Sequence, residues 1–251
     1  MRIAFLASEA PLAQTAREGL VAQYGTVETA AADVIVALGG DGFMLHTLRD
    51  TIDLNVPIYG MNRGTVGFLM NSYSEEGLLE RLAAAVEETI HPLRMRARDR
   101  SGGLHDAMAI NEVSLLRQGP QAAKLQISVD GRLRMAELVC DGALVATPAG
   151  STAYNYSAHG PILPIGADVL ALTAIAAFRP RRWRGALLPS GATVRFDVID
   201  AAKRPVMAEA DSVSFKDIDW VEIQSERRIS HKILFDPGHG LEERLISEQF
   251  N

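Results

Sequence analysis

Val34-Ile35-Val36-Ala37-Leu38-Gly39-Gly40-Asp41-Gly42-Phe43 decides how the rest of the chain is read. Five apolar residues in an unbroken run have the pattern of a strand buried on both faces. The run stops at Gly39-Gly40-Asp41-Gly42, and a helical pattern follows over 43–49. Three glycines let backbone N–H groups come close to a ligand and adopt conformations that a Cβ would block. At a strand-to-helix junction those N–H groups and the helix dipole favour bound phosphate. A carboxylate in that place repels phosphate, so Asp41 must have a chemical role there, either holding a metal or taking a proton from an attacking hydroxyl. The plainer reading is a tight turn in which Asp41 only caps the next helix.

Outward from this turn the pattern alternates. Residues 1–7 read as a strand, and 11–23 as a helix with Leu12, Ala16, Leu20 and Val21 on one face. A third apolar run, 56–60, leads into Asn62-Arg63-Gly64-Thr65-Val66-Gly67-Phe68-Leu69. Ser74 is placed to cap a helix carrying Leu78, Leu79, Leu82, Ala83 and Val86. Strand–helix alternation over about ninety residues implies a parallel α/β layer, with ligands at the carboxyl ends of its strands beside Asp41 and Asn62.

After Pro92 the period changes to two. Segments 113–116, 124–129, 133–139, 143–147, 193–198, 205–209 and 220–224 read as strands, with Asp130-Gly131 suited to a two-residue hairpin turn. Helical periodicity returns only at 241–250. The expected fold class is α/β: an N-terminal parallel α/β layer domain (1–95), a β-rich C-terminal domain (96–232), and a segment (233–251) whose helix packs back on the first domain.

Composition narrows the function. The 251 residues carry a net charge of −6, which argues against nucleic acid as a partner and leaves local groups to hold any anion. Arg179 to Arg184 (RPRRWR) is a short basic run, read as a solvated loop. The single cysteine, Cys140, excludes an internal disulfide and a cysteine zinc cluster. No run approaches the about 20 apolar residues that cross a bilayer, and the N-terminus lacks cleavable-signal architecture, so a cytoplasmic protein without a membrane partner is expected.

Two further constellations carry chemistry. Asn111-Glu112 sets an amide beside a carboxylate just before a strand, a pair costly to bury unpartnered and suited to sugar hydroxyls. Asp141-Gly142 leads through a strand into Ala149-Gly150-Ser151-Thr152-Ala153-Tyr154-Asn155-Tyr156-Ser157, small hydroxyl residues and two tyrosines able to wrap a polar, ringed ligand. Gly150 is placed to open a helix with free N–H groups. His46, about one turn beyond Asp41, is within reach of a phosphate, whereas His159 reads as a loop residue.

Taken in order and spacing, these residues resemble the NAD kinase family over nearly the whole chain. The glycine turn alone is shared with lipid kinases, but no basic amphipathic helix accompanies it here. A non-catalytic dinucleotide sensor would need no carboxylate at position 41. The resemblance implies transfer of a phosphoryl group from ATP or polyphosphate to the 2′-hydroxyl of the adenosine ribose of NAD, giving NADP, with NAD held between the domains. It assigns Asp41 as general base and Gly39, Gly40 and Gly42 to phosphate. NAD contacts fall on Asp41, Gly42, His46, Asn111, Glu112, Asp141, Ala149, Thr152, Ala153, Tyr154, Asn155, Tyr156, Ser157 and Ala176. It further implies a divalent ion, most simply Mg2+, arriving with the donor rather than on a protein metal site, and a homodimer or homotetramer.

Overall fold

The structure, a computed structural model, describes residues 1–64 and 67–238. They form two compact units, residues 1–90 with the chain from 229 onward, and residues 91–228. The boundaries thus fall a few residues before those read from the sequence. The strand starting at Leu93 belongs wholly to the second unit, and His231–Phe235 wholly to the first. The helix expected at 241–250 lies outside the described residues, as do Thr65 and Val66.

The first unit runs β1 (Ile3–Ala7), α1 (Pro11–Tyr24), β2 (Val34–Gly39), α2 (Asp41–Asp50), β3 (Ile58–Asn62), α3 (Leu78–Ala84) and β4 (Val86–Ile90). β1, β2 and β3 pair in parallel, and all six residues of β2 are buried, as a strand between two partners and two faces requires. Pro11 starts α1 and Gly25, at φ +72°, ends it. Its buried stripe is Ala13, Ala16 and Leu20; Leu12, expected on that face, is exposed. Ser74 does not cap α3. Its hydroxyl donates to Glu76 O, Gly77 in the left-handed region precedes the helix, and Val86 opens β4 instead of extending α3.

The strand His231–Phe235 returns to this sheet, parallel to β3 and antiparallel to β4. Buried Asn71 secures it: its amide donates to Gly60 O and Leu234 O and accepts Asp236 N. The Asp236 carboxylate in turn accepts Tyr59 OH at 2.6 Å and the Arg81 guanidinium at 2.5 Å.

The second unit is β-rich: β5 (Leu93–Asp99), β6 (Leu104–Ala109), β7 (Glu112–Arg117), β8 (Ala123–Val129), β9 (Arg132–Cys140), β10 (Gly142–Ala146), β11 (Val169–Ile175), β12 (Gly185–Pro189), β13 (Val194–Val198), β14 (Val206–Ala210), β15 (Val213–Phe215) and β16 (Ile218–Ser225), leaving His231–Phe235 as β17. A 3-10 turn, Ala149–Thr152, and the one-turn α4, Tyr154–Ser157, interrupt it. Two antiparallel six-stranded sheets, ordered β12-β11-β10-β7-β14-β15 and β6-β5-β16-β13-β8-β9, bury one core between them. Val113, Leu115, Val145 and Leu172 come from the first sheet, Leu125, Phe196, Val221 and Ile223 from the second. The β8–β9 hairpin turns at Asp130 and Gly131, φ +52° and +71°, the geometry that Asp-Gly favours. Outside the sandwich, Leu144, Ala146, Leu163 and Ala171 form a small cluster under Tyr154.

Candidate active site

In the first unit β2 delivers the chain to Gly39, whose backbone partner across the sheet is Asn62 at the end of β3. Arg63 N donates to Gly39 O at 2.7 Å, and Gly64 N to the Asn62 side chain at 2.8 Å, fixing both strand ends. Gly40 is the extended N-cap of α2 and Asp41 its first residue. The glycines work differently from the sequence expectation, because none has a positive φ. A Cβ on Gly39 would sit 2.8 Å from the Phe43 Cβ, so this glycine serves packing. Chain neighbours and the helix's own backbone aside, Gly40 and Gly42 have no heavy atom of the described residues within 4 Å of such a Cβ, which leaves open space among those residues over the N-terminus of α2.

Asp41 does not cap its own helix. Its Oδ2 accepts Phe68 N at 2.7 Å and its Oδ1 accepts Leu69 N at 3.0 Å. Both oxygens are therefore oriented from outside the helix, and each keeps acceptor capacity for one further hydrogen. Gly67 makes this approach possible, since a Cβ there would overlap the carboxylate. His46 lies exposed on α2 with Nδ1 accepting from the Arg49 guanidinium at 2.7 Å, so Nε2 is the nitrogen left to face solvent.

In the second unit Asn111 and Glu112 stand at the start of β7, opposite Ala146, the last residue of β10. Thr147 ties the two strand ends together: its N–H donates to Asn111 O at 2.9 Å and its hydroxyl to Ile110 O at 2.7 Å. The same hydroxyl accepts Gly150 N at 3.0 Å, so the Gly150 N–H is not free for a ligand as the sequence suggested. Position 150 must be glycine because a Cβ would lie 2.2 Å from Asn111 O. The 149–152 turn is thereby pressed against the Asn111 backbone.

Burial pushes the Glu112 carboxyl up to about 8, with the Asp211 charge as the second cause and the Tyr154 backbone opposing. At neutral pH it is thus protonated, with one buried oxygen, Oε2, lacking any hydrogen-bond partner. The Tyr154 phenol is raised too, by burial first and then by Glu209, Glu112 and Asp141. Among the described residues the Asn111 amide, the Thr152 hydroxyl and the Tyr154 hydroxyl form no hydrogen bond. Unspent polar groups around a half-buried carboxyl make a surface that a polyhydroxyl ligand would satisfy.

Not every expected residue joins this cluster. Asp141 and Ala176 lie at the other end of β10 and β11, where Asp141 N donates to Ile175 O. The five residues of β10 separate them from Asn111-Glu112 by roughly 15 Å. Asp141 accepts the Arg117 Nε at 2.5 Å, and Ala176 is exposed at φ +49°. Asn155 is wholly buried and its amide is spent: Nδ2 donates to Ser151 O and Pro161 O, and Oδ1 accepts the Thr173 hydroxyl. It holds the segment and offers no side-chain atom to a ligand. Ala149 is buried, Thr152 and Ala153 are half-buried, and Tyr156 and Ser157 are exposed. A cavity of about 330 Å3 at the β12 edge, walled by His159, Arg184 and Leu187, contains none of the expected residues.

Two family models account for most of the sequence. The ATP-NAD kinase N-terminal domain matches residues 8–90, and the ATP-NAD kinase C-terminal domain residues 110–225. The chain belongs to the ATP-NAD kinase family. The NAD kinase of Cereibacter sphaeroides (strain ATCC 17029) is 70% identical over 249 residues, spanning 99% of this chain and 98% of that one. That of Caulobacter vibrioides is 62% identical over 250 residues, 100% and 96% of the two chains. The crystal structure of an NAD kinase from Archaeoglobus fulgidus in complex with ATP has a TM-score of 0.74 at 26% identity, covering 100% of this chain and 97% of its own. Yeast NADH kinase complexed with NADH, at 19% identity, shares the fold with a TM-score of 0.83 over 100% of this chain and 87% of its own.

Within this ATP-NAD kinase chain three residues shape the site in ways the sequence reading did not assign: Gly67 and Thr147 were read only as parts of their segments, and Asp211 was not singled out. Gly67 admits Asp41 to the Phe68 and Leu69 amides, Thr147 joins β7 to β10, and Asp211 accepts the N–H groups of Ile110, Asn111 and Glu112. The only hint of the last was an Asp-Ser pair between two strand patterns, an ordinary turn signal. Among the described residues no three His, Cys, Asp or Glu side chains are grouped to hold a metal ion. No helix among them is long and apolar enough to cross a membrane.

Proposed function

We propose that the chain makes NADP by transferring a phosphoryl group from ATP or polyphosphate to the 2′-hydroxyl of the adenosine ribose of NAD, with Asp41 as the base that takes the hydroxyl proton. The observation that carries this reading is the doubly held Asp41 carboxylate beside the open space over Gly40 and Gly42. A sugar hydroxyl is a weak nucleophile. A carboxylate aimed at it accepts its proton as the P–O bond to the donor breaks and the new one forms. The N–H groups at the start of α2, with its dipole, support the negative charge on the phosphates.

Acceptor binding falls to the second unit in this reading. The Asn111 amide, the protonated Glu112 carboxyl and the Thr152 and Tyr154 hydroxyls supply donors and acceptors for the ribose and its neighbours. A divalent ion, most simply Mg2+, would arrive on the donor's phosphates and neutralise charge there. His46 Nε2 and the Gly39–Gly42 backbone belong to the phosphate side. Asp141, which acts on the Tyr154 phenol, and Ala176 stand as further NAD contacts in this reading, at the other end of β10 and β11 from Asn111-Glu112.

The cytoplasm suits a chain whose one thiol, Cys140, is buried and unpaired. Self-association is supported by β12, an edge strand whose Leu187 is 57% exposed. NADP formation is read directly by coupling it to an NADP-specific dehydrogenase, with NAD and ATP or polyphosphate supplied and Mg2+ present or chelated. NADP appearing only with both NAD and a donor upholds the reading. Its absence with every donor overturns it.

A further inference from the structure

Asp211 has no part in the chemistry above, yet it touches the backbone of the residues assigned to the acceptor. It sits at φ +49° on the two-residue turn joining β14 to β15. The β14–β7 register ends with Ala210 opposite Val113, which brings the turn alongside Glu112. There its carboxylate accepts three consecutive amides: Ile110 N at 2.6 Å, Asn111 N at 3.0 Å and Glu112 N at 3.3 Å. Its own N–H donates to Glu112 O at 3.2 Å. Hydrogen bonds to an ionised acceptor are stronger than neutral ones, and three converging amides cradle an anion as a backbone nest does.

We propose that Asp211 is the positioning residue for acceptor binding, clamping the 110–112 backbone so that the Asn111 and Glu112 side chains are presented to the ribose in one orientation. The inference rests on the assignment of that pair to NAD. Thr147 holds the carbonyl side of this reach through Asn111 O and Ile110 O, and Asp211 holds its N–H side. With the N–H side released both side chains gain freedom, and the cost of ordering them falls on ligand affinity. The clamp also bears on protonation. The groups facing Glu112 are Asp211 from the turn and the Tyr154 backbone from α4, while Glu209 and Asp141 act on the Tyr154 phenol. The Asp211 charge favours the neutral carboxyl, which can donate a hydrogen bond to a ribose oxygen. Losing that charge lets Glu112 ionise at lower pH.

The test compares the full chain with Asp211→Ala and Asp211→Asn, using NAD titration calorimetry from pH 6 to 9 and NADP-formation kinetics. Asp211→Ala is expected to weaken NAD binding about tenfold, with kcat within about twofold and KM for ATP unmoved. Asp211→Asn keeps one acceptor oxygen, so it loses less affinity, and the pH at which NAD affinity declines moves below that of the unsubstituted chain. A folded Asp211→Ala protein with unchanged NAD affinity overturns the inference, as does an unchanged pH midpoint in Asp211→Asn. Equal losses in kcat and both KM values, marking general damage, overturn it too. Should Asp211→Ala fail to fold, Asp211→Asn decides alone. If the unsubstituted chain binds NAD without forming NADP, the kinase reading fails and the titrations still judge the clamp; if it does not bind NAD, both fail.

Discussion

Gly67 and Asp41 are fitted to each other: a Cβ on Gly67 would stand 2.2 Å from Asp41 Oδ1 and 2.6 Å from its Cγ. The carboxylate reaches the Phe68 and Leu69 amides only because that volume is empty. Gly67→Ala must therefore displace the carboxylate or the loop. Misplacing a reacting group by about 1 Å can cost about a hundredfold in rate. We expect kcat to fall by about 10–100-fold while the NAD titration stays within a few-fold. Full turnover in the Gly67→Ala variant would show that Asp41 tolerates displacement.

Asp41→Asn tests the base more directly. An amide offers one acceptor oxygen where the carboxylate offers two, and its NH2 would face the Phe68 or Leu69 N–H. It also cannot take up a proton. Turnover should drop by roughly 10²–10⁴-fold, with NAD affinity little changed by calorimetry. Near-normal turnover would remove Asp41 from the base role.

Glu112 makes stability depend on pH. Its folded value of about 8 lies above the ordinary 4.5 of a free glutamate. The folded state therefore holds a proton that the unfolded chain has released. Its contribution is intact below about pH 4.5 and is lost as pH rises towards 8. Glu112→Gln removes that dependence. Thermal melts at pH 5 to 9 should show the variant gaining on the parent until about pH 8 and levelling beyond; parallel curves would mean that Glu112 titrates normally.

Asn155 is a stability residue in a stretch that looks like a binding motif. Asn155→Ala strands Ser151 O, Pro161 O and the Thr173 hydroxyl in a buried site. Each stranded group costs about 1–3 kcal/mol, less what water recovers. A melting point lowered by about 2–4 °C per kcal/mol is expected. Gly160→Ala should act likewise, its Cβ falling 2.0 Å from Asn155 Oδ1. An unshifted melting point in both would release Asn155 from this role.

The alternation of buried strand and helix was legible because β2, α1 and α2 satisfy their own periodicity wherever they are placed. So was the Asp130-Gly131 hairpin, whose turn type follows from two adjacent residues. Less legible were short edge strands: β4 (Val-Glu-Glu-Thr-Ile) and β15 (Val-Ser-Phe) mix polar with apolar residues as loops do, and β12 (Gly-Ala-Leu-Leu-Pro) is apolar but framed by Gly and Pro, which read as turn residues. The Ser74 cap failed because a hydroxyl beside a helix start is only a candidate until the backbone settles which residue goes first. The separation of Asp141 from Glu112 was invisible for a different reason. Sequence spacing measures distance along β10, and both ends of a strand are near in sequence while far apart in space.

The order and kinds of residues alone established the fold class, the family and the short runs that carry polar chemistry, since these depend on local periodicity and composition. Tertiary structure alone decided which atoms those runs have left to offer. Asp41 is aimed by amides 27 and 28 residues away, Glu112 is kept neutral by burial and by a carboxylate 99 positions later, and Asn155 is used up internally. Hydrogen bonds and desolvation act through space over a few ångströms, and only the folded chain sets which residues are that close.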